Sequence, residues 1–239
     1  MVKVDAQGRD HRALAGLAEL IERDATTLWR ARSATARQVT RLDLDTVDDP
    51  ACREVLARYA AADVSVAAWD LTGDVEVAAF QAAIVDRRPD PHRALGPMGG
   101  MGCHPSRGVA LLRALTEAAQ TRLTLISGAR DDLPPRRLDP DAYLAAHGRF
   151  HEEHGAPGPR RSFLEVPTRE HDRFEDDLGF MLDRLRTVGC GEAVVVNLTK
   201  PEIGVPVVRV VVPGLEVLDD LPGYLPGRRA RAARGEEPS

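Results

Sequence analysis

Apolar positions recur with a helical period over residues 12–32. Leu14, Leu17, Ala18, Ile21, Ala25 and Leu28 follow i, i+3, i+4, i+7, i+11 and i+14, which predicts one long amphipathic helix. The stretch QVTRLDLDTV (38–47) then predicts a strand. PACREVLARYAAA (50–62) predicts a short helix with Pro50 near its start, where a missing N–H does no harm. DVSVAAWDLTGDVEVAAFQAAIVD (63–86) predicts two strands joined at Thr72–Gly73–Asp74 as a hairpin. RRPDPHRALGPMGGMGCHPSRG (87–108) is rich in Pro and Gly and predicts a loop. A second long helix follows in VALLRALTEAAQTRLTLI, with Ser106 as its N-cap and a stop at Ser127–Gly128.

The later part of the chain is less regular. Residues 134–163 are polar with few apolar anchors, and predict a mobile surface excursion that exposes His147, His151 and His154. Residues 170–188 predict a helix with Phe174, Leu178, Met181, Leu182 and Leu185 on one face. Residues 191–214 predict two apolar strands around a turn at Pro201–Gly204. The tail from 221 to 239, basic and then acidic, predicts disorder. Helices and strands mix without strict βαβ alternation, so the fold class is α+β, or mixed α/β.

Composition narrows the function classes. Apolar residues make up 43% and charged residues 29%, a profile that can bury a sizeable core. A net charge of −5 and an aromatic content of 4% argue against a nucleic-acid grip. No run of 18 apolar residues occurs, so no membrane-spanning helix is expected. Three dispersed cysteines fit a reducing cytoplasm better than a disulfide framework.

Candidate chemistry starts with Glu19 and Glu22 on the first helix, about 60° apart around its axis. Two like charges at this spacing repel, so either solvent screens them or they share a cation. Mg²⁺ takes one or two carboxylates together with phosphate oxygens and water. On the second helix Arg113, Glu117, Gln120 and Thr124 form a polar stripe, while Arg122 projects onto the apolar side. An unpaired guanidinium there is costly, so Arg122 must meet a carboxylate, a phosphate or a helix end. Arg130 follows a Gly turn and can reach a phosphate or stay as surface charge. GPMGGMGCHPSRG lacks the GK[ST] ending of a Walker loop. Cys103 beside His104 raises a thiol nucleophile or a metal site, without a second ligand pair at zinc-like spacing.

Three blocks, GLAELIERDATTLW, GCHPSRGVALLRALTEAAQTRLTLISGARDDL and NLTKPEIGVPVVRVVVPGLE, together resemble successive blocks of the YcaO family in order and spacing. The ERDATTLW and GCHPSR wording is most similar to the branch that works with TfuA-like proteins in thioamide formation. The resemblance implies an ATP- and Mg²⁺-dependent enzyme that phosphorylates a peptide backbone amide oxygen. A nucleophile then adds at the carbon and phosphate leaves. A side-chain nucleophile gives an azoline and external sulfide a thioamide.

By position the resemblance makes Glu19 and Glu22 a Mg²⁺-binding pair. It places Glu117, Gln120 and Arg122 along the nucleotide and Arg130 on the phosphate side. Where the family has Asn and Glu ahead of the acid pair, this chain has Gln7 and His11. The resemblance further implies a partial YcaO domain over 1–220, with the family's N-terminal half and its first carboxylate pair lying before Met1. That half is expected on another chain, or lost by truncation, or dispensable in a non-catalytic module that binds a peptide or partner. A peptide or protein substrate, a TfuA-like partner and a homodimer are the expected associations.

Overall fold

The computed structural model describes residues 10–90, 95–128, 139–155 and 158–236. The first helical period forms α1 (Asp10–Ala31), and its apolar positions are all buried. Next come α2 (Ala34–Gln38), β1 (Leu42–Asp43), α3 (Pro50–Ala61), β2 (Val64–Asp70), β3 (Ala79–Asp86) and β4 (Met98–Cys103). Then follow α4 (Arg107–Ser127), α5 (Pro140–Gly155), β5 (Arg161–Ser162), α6 (Phe174–Thr187), β6 (Val194–Asn197), β7 (Val208–Val211) and α7 (Arg228–Ala233). The mixed class read from the sequence is the class observed.

Strands β2, β3 and β4 form an antiparallel sheet in that order. Alternation along the strands sorts side chains to two faces. Ala68, Phe80 and Ala82 meet Ala110, Leu111, Ala114 and Leu115 of α4, with α3 alongside. Ala67, Trp69, Ala79, Val85 and Cys103 meet α1 and α6. The result is three layers, with α1 and α6 on one side of the sheet and α3 and α4 on the other.

Strand β4 lies in the stretch expected to be a loop. Glycine is a poor strand former, and that is what MGGMGC registers locally. Its glycines serve a tertiary contact instead. A Cβ on Gly100 would sit 2.3 Å from Ala114 O and Ala118 N, and one on Gly102 would sit 2.1 Å from Ala110 O. The backbone of α4 therefore rests directly on β4.

Three other expectations are corrected. In place of a strand over 38–47, Leu42–Asp43 pair in parallel with β5, Arg41 makes a single antiparallel bridge to Trp69, and a 3₁₀ turn follows. The polar excursion of 134–163 contains α5, anchored by buried Tyr143, His147 and Phe150 at i, i+4 and i+7. Counting histidine as polar hid that stripe. The tail expected to be disordered carries α7, because Arg229 clamps it to the body. Its guanidinium makes bidentate contacts with Asp24 at 3.0 and 2.9 Å and meets Asp74 at 2.7 Å. Glu216 caps the same helix by accepting from Ala230 N at 3.0 Å.

The hairpin of β6 and β7 matches the expected pair of strands. Val210 packs into α1, where a Cβ on Gly16 would come within 2.7 Å of its Cγ2. Farther out, Val194, Val195, Val196, Leu198, Ile203 and Val205 are exposed. Phe174, expected on the buried face of its helix, is also exposed.

Gly100→Ala and Gly102→Ala are expected to lower unfolding free energy by about 3 kcal/mol or more, because backbone rather than a flexible side chain must yield. Gly99→Ala, whose Cβ would stand 3.7 Å from its nearest neighbour, should change it little. Urea denaturation of the three variants checks this contrast. Arg229→Gln, which strands buried Asp24, should cost about 3 kcal/mol in the same assay.

Candidate active site

Two acids converge from opposite sides of the sheet at the free edge of β4. Glu22 comes from α1 and Glu117 from α4. Glu117 Oε2 accepts from Met101 N at 3.3 Å, covering an outward N–H of the edge strand. Thr26, one turn beyond Glu22, places its hydroxyl 3.2 Å from Met101 Sδ. The side chain of Glu22 is 7% exposed, and its Oε2 is buried with no hydrogen-bond partner. Burial pushes the Glu22 carboxyl up to about 7, the charge of Glu117 adds to the rise, and Arg113 opposes it.

Glu19, one turn earlier, points outward and is paired with Arg23 along the helix. The two glutamates of α1 therefore differ in environment: one is solvated and paired, the other buried and orphaned. The polar stripe of α4 opens onto a depression of about 790 Å³. Arg113, Thr116, Glu117 and Gln120 line it, with Pro97–Gly99 as its floor. Gln120 is exposed there, free to donate and accept. Arg113 belongs to the same stripe, and the sequence alone predicts no role for it. Its charge acts on Glu22, and the signal available in the sequence was its i, i+4 spacing to Glu117.

Arg122 faces away from this depression. Its guanidinium meets Asp86 Oδ1 at 2.7 Å, so of the partners left open by the sequence it has the carboxylate. Arg130 lies outside the described residues. Cys103 is fully buried, and burial together with the charge of Glu22 raises its thiol, which suits packing rather than nucleophilic attack. His104 accepts from Ser106 N at 3.0 Å through Nδ1, and Ser106, at the N-cap as expected, makes no side-chain cap bond. The histidines of α5 are not simply exposed: His147 Nε2 bonds Asp86 O at 2.7 Å.

Among the described residues no group of three His, Cys, Asp or Glu side chains could hold a metal ion. Mg²⁺ does not need such a cage, since one or two carboxylates suffice when phosphate oxygens complete the shell. The orphaned Oε2 of Glu22 beside Glu117 fits that donor pattern.

A family model described as "YcaO cyclodehydratase, ATP-ad Mg2+-binding" matches residues 11–216. The chain belongs to the YcaO family. An uncharacterized protein in the tfuA 3' region of Rhizobium leguminosarum bv. trifolii is 37% identical over 236 residues, covering 94% of this YcaO chain and 54% of that protein. An uncharacterized protein of Methanothermobacter thermautotrophicus is 36% identical over 226 residues, covering 94% and 57%. The chain thus spans about half the length of these relatives, 54% and 57%. Among solved structures, the heterocyclase TruD superposes with a TM-score of 0.63 at 28% identity, over 88% of this chain and 28% of that one. The YcaO of Methanopyrus kandleri, bound with AMPPCP and Mg²⁺, superposes at 0.65 with 23% identity, over 92% and 57%. The family read from the three sequence blocks is the family found, and the tfuA-region relative agrees with the branch.

The raised carboxyl of Glu22 links stability to pH. Its folded value of about 7 exceeds the ordinary 4.5, so the folded chain holds this proton more tightly than the unfolded chain. The stability so gained is full below pH 4.5 and is lost as pH rises through about 7. The loss amounts to about 3 kcal/mol. Unfolding free energy measured between about pH 4 and pH 8 should therefore fall more steeply in the wild type than in Glu22→Gln, and the variant should be the more stable at the alkaline end. Parallel pH curves would contradict the assignment.

Proposed function

We propose that this chain supplies the Glu22 side of an ATP- and Mg²⁺-dependent site that activates a peptide backbone amide by O-phosphorylation, leading to a thioamide. Azoline formation is the neighbouring product class, set by which nucleophile reaches the carbon. The observation that carries the proposal is the buried, partnerless oxygen of Glu22 facing Glu117 across the β4 edge. Two acids held together at a poorly solvated edge favour a divalent cation between them and a phosphate, and the family description names Mg²⁺.

Glu22 and Glu19 are the proposed metal ligands, with Glu19 released from Arg23 by rotation about its own side chain. Glu117 and Gln120 are assigned to the nucleotide, Arg113 and Arg130 to its phosphates. Arg122, turned away from the depression and paired with Asp86, is assigned a structural part beside the site. Bound there, Mg²⁺–ATP supplies the phosphoryl group that turns the amide oxygen into a leaving group. The chain's own part is to bind and orient: fixed acids hold the charge, and the guanidinium of Arg113 offsets the negative charge that gathers on the phosphates. Residues 1–220 act as one partial YcaO domain in this scheme, at work in the cytoplasm. A further YcaO segment, a TfuA-like protein or a second copy is its proposed partner.

One observation favours a second reading. Two residues that the resemblance implies for the site already have partners within the chain, Glu19 with Arg23 and Arg122 with Asp86. A non-catalytic module that binds a peptide or partner would look the same.

Isothermal calorimetry of ATP with and without Mg²⁺ separates the two. The catalytic proposal expects Mg²⁺-dependent binding that Glu22→Gln and Gln120→Ala each weaken about tenfold or more. Glu19→Ala should reduce the Mg²⁺ dependence. Absence of any binding heat supports the module, and unchanged affinity in all three variants removes the site assignment.

A further inference from the structure

The ribbon of β6 and β7 presents a surface remote in kind from the carboxylate site. β7 lies against α1, while β6 is the outer strand and is exposed at every position. Val194, Val196 and Leu198 share one of its faces and stay open to solvent. A two-stranded ribbon is marginal in water, and an apolar edge strand is a template for a further strand.

Hydrogen-bond parity decides which groups that edge offers. Leu198 N donates to Val207 O at 2.8 Å, in the register that also sets Val196 opposite Arg209. In an antiparallel pair every second residue turns its N–H and C=O toward the neighbouring strand. Val194, Val196 and Leu198 therefore bond toward β7, and Val195 and Asn197 turn their backbone groups to the outer edge. Among the described residues no strand pairs there. The edge closes at Thr199, whose N–H is already taken by Asn197 Oδ1 at 3.0 Å.

The flanking charges select an occupant. Glu192 precedes β6 and Lys200 follows it, and both are exposed. Among the described residues neither has an ion-pair partner. Val196 lies midway between them. When two such strands run antiparallel about Val196, Glu192 of each copy stands opposite Lys200 of the other, and Val194 stands opposite Leu198. The same register sets Val195 against Asn197, the two residues whose backbone groups point outward. A one-residue slip turns the bonding groups away from each other, and a two-residue slip parts the charges. The segment is thus complementary to itself in one register, in charge, apolar contact and backbone bonding together.

We propose that the outer edge of β6 is an interface between two copies of this chain, joined antiparallel about a twofold axis at Val196 into one four-stranded sheet. The proposal rests on the second-copy reading given above and leaves the carboxylate site out of the contact.

Sedimentation equilibrium of the 26.0 kDa chain should give twice that mass at about 50 μM. Glu192→Lys and Lys200→Glu each set like charges opposite one another at both ends of the pairing, and each should weaken the dimer about tenfold or more. Mixing the two variants should restore it, because every facing pair is then of opposite sign. Val195→Pro removes an outward N–H without touching the β7 ladder, and should give a monomer whose urea midpoint matches the wild type. Carbodiimide coupling should join Glu192 to Lys200. Those residues stand about 26 Å apart along one extended strand, so the linked peptide arises only between copies. A monomer at every concentration, the outcome if another protein covers the ribbon, overturns the proposal. So does a dimer indifferent to Val195→Pro, or one in which mixing restores nothing. ATP calorimetry reads the carboxylate site separately, so loss of one result leaves the other standing.

Discussion

The contact between the backbone of α4 and the backbone of β4 governs the rest of the architecture. Gly100 and Gly102 let the helix lie against the strand with no side chain between them. That distance decides where Glu117 ends up. From a helix held farther away, its carboxylate could not reach Met101 N, and the acids of α1 and α4 would not meet over the strand edge. Because β4 is the edge of the sheet, the meeting point opens to solvent on one side, which is where a ligand can enter.

The same geometry explains the electrostatics. Glu22 is held in place by the packing of Leu17, Ala18, Ile21 and Ala25 on its helix, which bury more apolar surface than one carboxylate costs in desolvation. Its raised carboxyl is therefore imposed by the core and stored at the edge. Glu19 escapes because it sits about 60° farther from the apolar stripe and reaches Arg23 in solvent. An arrangement that costs stability and places acids at a cleft is a common property of sites built to bind.

The periphery follows a different logic. Arg229 joins the C-terminal helix to Asp24 and Asp74, whose positions in sequence are remote from it. The ribbon of β6 and β7 is anchored to α1 through Val210 and leaves its outer valines uncovered. A two-stranded ribbon is marginal in water by itself, so the anchor on α1 matters to its persistence.

What the sequence determined is what short-range periodicity can carry. The helices α1, α3, α4 and α6, the β2–β3 pair and the β6–β7 hairpin follow from spacing, caps and turn residues, because those signals act within a few positions. The polar stripe of α4 and the acid pair of α1 were visible for the same reason. Only the tertiary structure decided that MGGMGC is a strand, that Tyr143, His147 and Phe150 anchor a helix, and that the tail folds. Glycine's lack of a side chain, histidine's ability to be buried once bonded, and the reach of Arg229 to Asp24 all take their value from partners far away in the chain. Tertiary structure also separated Glu22 from Glu19 and gave Arg122 to Asp86, since the face a residue turns to its neighbours is a matter of packing and has no local signature.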